Sequence, residues 1–96
     1  MKVVILGVPH FVDFTYGEIE RVESSHRKEG RFTGCIITEG EAFVGKGTAV
    51  LYYEDTYDKE LGRQQALKKA LVDSCFTKEQ RTIVWDTYRN WGKKRF

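Results

Sequence analysis

Lys46-Gly-Thr-Ala-Val-Leu-Tyr-Tyr53, Glu54-Asp55-Thr-Tyr-Asp58 and Lys59-Glu-Leu-Gly-Arg63-Gln-Gln-Ala-Leu-Lys-Lys-Ala-Leu-Val72 follow one another without a break, and their reading decides the fold. As far as Tyr53 the apolar pattern has a period of two; beyond Asp58 it lengthens to about 3.6. A strand therefore feeds through a short acidic turn directly into a helix. Asp55 is placed to cap that helix, with Asp58 and Glu60 in its first turn and Lys68 and Lys69 toward its end, where the helix dipole favours them. Wheel geometry sets Arg63, Leu67, Ala70 and Ser74 on one stripe, flanked by Ala66 and Leu71. In the strand, Thr48, Val50 and Tyr52 share one face and Ala49, Leu51 and Tyr53 the other. Both faces are fairly apolar, which predicts a central position or a helix-covered sheet.

Working outward, Thr77-Lys-Glu-Gln80 is a capping box that opens a second helix, whose Val84, Tyr88 and Trp91, joined by Ile83, make a buried stripe. Gly92 ends it and leaves the tail Lys93-Lys-Arg-Phe96. Upstream, Lys2 to Leu6 is a β-branched run closed by Gly7 and Pro9. Phe11 to Glu23 is ambiguous: Ile19 and Val22 stand three apart, but the aromatic and β-branched residues before them and Gly17 favour an extended or bulged strand. Ser24 to Gly30 reads as a polar turn. After it, Phe32, Gly34 and Ile36 alternate with Thr33, Cys35 and Ile37, up to a turn at Glu39-Gly-Glu41. The predicted fold is α+β, a single domain over residues 1–96. A small antiparallel sheet of three or four strands between residues 2 and 53 precedes two C-terminal helices at about 56–74 and 78–91.

A chain of 96 residues with 41% hydrophobic content can build one core without metals or disulfides. Pro9 is the only proline, and no linker or internal repeat divides the chain. The apolar run Val3 to Val8 is too short for a signal-peptide core or a bilayer span, so the expectation is a cytoplasmic protein with no membrane contact. In a reducing cytosol Cys35 and Cys75 are expected to stay unpaired. Charge is uneven. Residues 1–55 carry six Lys/Arg against nine Asp/Glu, net −3; residues 56–96 carry ten against five, net +5. A basic half can steer an anionic partner or simply be a solvated surface.

Gly40-Glu-Ala-Phe-Val-Gly45-Lys46 has the glycine and lysine spacing of a phosphate loop. That loop needs Ser or Thr next and a helix below the phosphates, whereas here Gly47 follows and the chain enters a strand. The segment reads instead as a glycine-relieved turn or strand bulge. Cys35, Cys75, His10 and His26 match no metal-ligand spacing and no activated-nucleophile motif, so no metal, cofactor or catalytic residue is assigned and the expectation is a non-enzyme. Glu54, Asp55 and Asp58 read as capping carboxylates before a cation site.

Arg63, on the inward stripe beside Gly62, needs a carboxylate, with Glu54 or Asp55 the candidates, or else an anionic ligand. Arg81, Trp85 and Arg89 recur every four residues, setting an indole between two guanidinium groups. These residue types dominate interface hot spots and also bind stacked bases and phosphates; equally, Trp85 can close the core margin under two arginine stems. With Lys93, Lys94 and Arg95 they form the candidate partner-binding surface.

The stretch Gly47-Thr-Ala49, Asp55-Thr-Tyr-Asp58 and Gly62-Arg63-Gln-Gln-Ala66-Leu67-Lys-Lys-Ala70-Leu71 resembles a pattern of small bacteriophage-encoded proteins. In these a strand with G-x-A precedes a D-x-[FY]-D turn and a G-R-x-x-A-L-x-x-A-L helix. The resemblance covers about a quarter of the chain, at positions that are mostly fold-forming. It implies a phage or prophage accessory protein acting in the cytoplasm of a bacterial host, a class that includes anti-CRISPR-like inhibitors of host defence, and it carries over no catalytic residues. The expected function is a non-enzymatic inhibitor that binds a host protein or a nucleic-acid-handling defence complex. The alternative is a small nucleic-acid or nucleotide-binding module using the basic C-terminal helices.

Overall fold

In the computed structural model, which describes residues 1–23, 26–52 and 59–93, tight turns fold the first half of the chain into a meander. The strands are β1 (Lys2–Ile5), β2 (Val8–Glu23), β3 (His26–Glu39) and β4 (Ala42–Tyr52), followed by α1 (Lys59–Asp73) and α2 (Lys78–Lys93). All neighbours are antiparallel, in the order β1-β2-β3-β4. Leu6 and Gly7 both adopt positive φ, 51° and 80°, the two-residue geometry whose twist matches that of a hairpin. Gly40, at φ 59°, does the same work between β3 and β4. The architecture is α+β, with four strands and two C-terminal helices. The acidic strand-to-helix turn, with Glu54, Asp55 and Asp58, lies outside the described residues.

Two details differ from the sequence reading. The polar segment Ser24 to Gly30 is not a long turn, because β3 begins at His26 and pairs from Glu23↔His26 onward. Ladder bonds satisfy the backbone whatever the side chains are, and Glu18, Glu20, Glu29 and Arg31 keep theirs in solvent, so polarity there does not end the strand. The resulting hairpin sets the longest dimension, 52 Å, close to the roughly 50 Å that sixteen strand residues span. Second, α2 continues through Gly92 to Lys93 rather than ending at that glycine. Strand β4 is an edge strand with helices over one face, the helix-covered alternative of the expectation. Its edge is closed by α1: the Lys46 amide donates to the Asp73 carboxylate at 3.0 Å, and Lys69 Nζ donates to the Thr48 carbonyl at 3.0 Å. Both contacts occupy backbone groups that could otherwise template another strand.

The core lies between one sheet face and the helices. Val3, Ile5, Val12, Cys35 and Ile37 meet Ala66, Leu67, Ala70, Leu71, Val84 and Tyr88. Of the predicted helical stripes, Ala66, Leu67, Ala70, Leu71, Ser74, Val84 and Tyr88 are buried, and Arg63, Ile83 and Trp91 are half-buried. Each large side chain buried there contributes about 1.5–3 kcal/mol relative to exposure. Helix α1 lies close on β4 because Gly45 and Gly47 face it. A Cβ at Gly45 would come 2.6 Å from the Ala70 carbonyl oxygen, and one at Gly47 would overlap the Ala66 carbonyl and the Ala70 amide. The phosphate-loop look-alike is thus the Gly40 turn, an irregular register between Ile37 and Thr38, and a strand that needs glycine for helix contact. Ser74, whose hydroxyl donates to the Leu71 carbonyl at 2.6 Å, follows the end of α1. The capping box at α2 forms in both directions: Thr77 N–H to Gln80 Oε1 at 2.9 Å and Gln80 N–H to Thr77 Oγ1 at 3.2 Å.

Candidate functional site

The α2 ridge is built on a helix held at its start by that capping box and along its length by Val84 and Tyr88 in the core. Trp85 is partly buried and packs against the core, with its ring edge-on to Tyr88 at 5.9 Å between centroids and 89° between planes. Tyr88 in turn contacts Phe14, and Phe14 stacks on Trp91 at 6.0 Å. The indole is therefore a fixed plate at the core margin that keeps some surface in solvent. Arg81 is half-buried one turn before it, and Arg89 is exposed one turn after it, bonded to Asp86 at 2.9 Å. Both members of that last pair are solvated, so it orients Arg89 but adds little stability. Lys93 is the last residue of α2; Lys94 and Arg95 lie outside the described residues.

Arg63 stands at the margin of the covered face. Its guanidinium pairs with Glu60, one turn earlier on α1. Glu60 also accepts the Tyr88 hydroxyl at 2.7 Å and the Gln64 amide at 3.2 Å, which ties α1 to α2. Burial alone would push the Arg63 pKa down, but hydrogen bonds with Glu60, Tyr88 and Tyr16 hold it above its ordinary range. The Tyr88 hydroxyl, followed by Arg63 and Gln64, holds Glu60 below the usual carboxylate range against the opposing effect of burial. Burial and the hydrogen bond to Glu60 push the Tyr88 phenol up to about 12. Among the described residues Arg63 Nε is buried and meets no acceptor. The carboxylate found on Arg63 is Glu60; Glu54 and Asp55 lie outside the described residues. Lys59 covers the Tyr16 ring at 4.3 Å, extending the network to β2.

A cavity of about 480 Å³ opens at the turn end of the sheet, lined among others by Leu6, His10, Glu39, Phe43 and Cys75. It brings His10 and Cys75 to one place, while Cys35 is buried under the helices. The His10 ring is buried, with Nδ1 3.0 Å from the Val8 carbonyl, Nε2 3.5 Å from Glu39 and its edge against Phe76. Both ring nitrogens thus face acceptors of the sheet itself, which makes His10 a structural imidazole. Among the described residues no three His, Cys, Asp or Glu side chains converge as metal ligands, and no helix is long and apolar enough to cross a membrane.

Of the sheet face away from the helices, sequence reasoning reaches only Phe11, within the aromatic segment Phe11 to Tyr16. That face presents Val4, Phe11, Ile36, Phe43 and Val50, with Phe43 59% exposed. The signal lay in the alternation itself: Ile36 and Val50 are out of phase with the Cys35–Ile37 and Gly47–Ala49 face that the helix stripe requires. Comparison with protein-family models, with curated proteins and with solved structures finds no match for this chain.

Proposed function

We propose that this chain is a non-catalytic binding protein of the phage-inhibitor kind, acting in the cytoplasm of a bacterial host on a host protein or a nucleic-acid-handling defence complex in an anti-CRISPR-like manner. The observation that carries this reading is the fixed Trp85 plate with Arg81 and Arg89 one turn to either side. A rigid aromatic flanked by guanidinium groups loses little side-chain freedom on docking, which is why such groups anchor protein interfaces. The alternative, nucleic-acid binding by the basic helices, draws on the ten Lys/Arg against five Asp/Glu in residues 56–96.

Tagged capture from a bacterial lysate, with co-purifying proteins and nucleic acids both identified, tests the two together. Arg81→Glu with Arg89→Glu is expected to keep the fold, with the exposed Arg89 costing little and the half-buried Arg81 lowering the melting temperature by a few degrees, and to abolish capture of the target, because repulsion replaces two interface charges. Retention of the same partner at wild-type affinity would remove the α2 ridge from consideration. The next surfaces would then be the acidic sheet half around Glu18, Glu20 and Glu23 and the aromatic N-terminal segment Phe11 to Tyr16. Binding to random oligonucleotides that weakens steeply with salt would favour the alternative.

A further inference from the structure

The open sheet face is complementary to itself. Across β2, β3 and β4 the paired residues form successive rows: Phe11–Thr38–Phe43, Asp13–Ile36–Lys46, Thr15–Gly34–Thr48, Gly17–Phe32–Val50 and Ile19–Gly30–Tyr52. A two-fold axis lying parallel to β3, midway between two such faces, lays the β2 of one copy over the β4 of the other. Each row then meets its own reverse. Phe11 lies over Phe43, Asp13 over Lys46, Thr15 over Thr48 and Ile19 over Tyr52, each twice, while the β3 residues between them lie on the axis and meet their own copies once. The Phe32 ring leans over Gly17 and fills the place a side chain would take, so Val50 of the second copy meets the Phe32 ring there.

We propose that this face is the interface of a two-fold symmetric dimer of this chain. Sheets pack face to face about 10 Å apart with strand directions within about 30° of each other, a geometry open to a face that no helix covers. An isologous interface requires self-complementarity, and the Asp13 and Lys46 row supplies it in charge. Association by the β4 edge is opposed where Asp73 and Lys69 occupy the Lys46 amide and the Thr48 carbonyl. The dimer leaves the α2 ridge free and does not rest on the binding reading above.

Molecular mass in solution, measured by light scattering or sedimentation from micromolar to near-millimolar protein, tests the proposal. The full chain is expected to be a dimer. Asp13→Lys alone sets lysine against lysine, and Lys46→Asp alone sets aspartate against aspartate. Each should weaken self-association roughly a hundredfold or more. Mixing the two single variants pairs opposite charges at both positions and should restore a dimer, as should the double variant Asp13→Lys with Lys46→Asp. Both positions are exposed, and circular dichroism with a melting curve confirms that the variants fold. A wild-type chain that is monomeric throughout that range overturns the proposal and leaves the face to another protein or a nucleic acid. So does a dimer indifferent to the single variants, or one that mixing fails to restore. If a single variant does not fold, the wild-type mass and the double variant still decide.

Discussion

On the covered face of β4 stand Gly45, Gly47 and Ala49; on the open face of the same strand stand Lys46, Thr48 and Val50. On β3 beside it the open face adds Phe32, Gly34 and Ile36 and the covered face Thr33, Cys35 and Ile37, so the difference in bulk is greatest on β4 itself. Size does not decide which face is buried. The helix approaches where the sheet has no side chains to hold it away, and buried Gly62, Ala66 and Ala70 on α1 keep the helix side equally thin. The gain there is backbone-close packing of a rigid layer; the other face keeps bulk and charge for contacts between molecules.

The most direct way to break this contrast is to thicken the covered face. The atoms that a side chain at Gly47 would strike belong to the α1 backbone, which cannot swing aside as a flexible side chain can. Gly47→Val is therefore expected to cost about 3 kcal/mol or more, at or beyond the usual range for overpacking. Thr48→Val, one residue on and facing out, should stay within about 0.5 kcal/mol of wild type. Urea unfolding of the two variants side by side checks both values. Equal stabilities would mean that α1 does not lie on β4 as described.

The same contrast explains what was legible in the sequence. The change of period across residues 46–72 places strand and helix in order, and the stripe Leu67, Ala70 and Ser74 is buried as the wheel requires. Thr77 and Gln80 declare a cap that forms. The position of β4 in the sheet was not legible, because two apolar faces look alike whether the second one meets a helix or another molecule. The length of the β2–β3 hairpin was hidden by its charge, since polar residues signal a turn only where burial is at stake. Of the candidate site, the α2 ridge followed from four-residue spacing. Among the described residues the carboxylate on Arg63 is Glu60, three residues before it, a neighbour that one-turn geometry offers without any long-range contact.

A smaller effect is expected at the margin of the covered face, where Glu60 links Arg63 to Tyr88. The folded-state pKa of Glu60 is lowered, first by the Tyr88 hydroxyl. A carboxyl of this kind contributes stability that is fully present above its unfolded pKa, about 4.3, and is lost as pH falls through the folded value. Glu60→Gln should therefore flatten the decline of stability below about pH 5 and leave its shape at neutral pH unchanged. Melting curves from neutral to acid pH measure this. An acid limb as steep in the variant as in the wild type would detach Glu60 from the acid response of the fold.

The least perturbing test uses the two thiols as reporters of the two environments. Cys75 is exposed and Cys35 is buried on the covered face, directly paired with Gly47. Burial, then the negative charge of Asp13, pushes the Cys35 pKa up to about 12. At pH 8 about one part in ten thousand of such a thiol is the reactive thiolate, even before access is considered. Native protein should take up one equivalent of a thiol reagent at Cys75 with no change in melting temperature, and a second only on unfolding. Two fast equivalents would show that the helix layer opens readily over β3. The comparison sharpens when labelling is repeated in Gly47→Val. If that side chain lifts α1 from β4, the thiol paired with position 47 loses its cover first, and Cys35 should become reactive under conditions where the wild type still protects it.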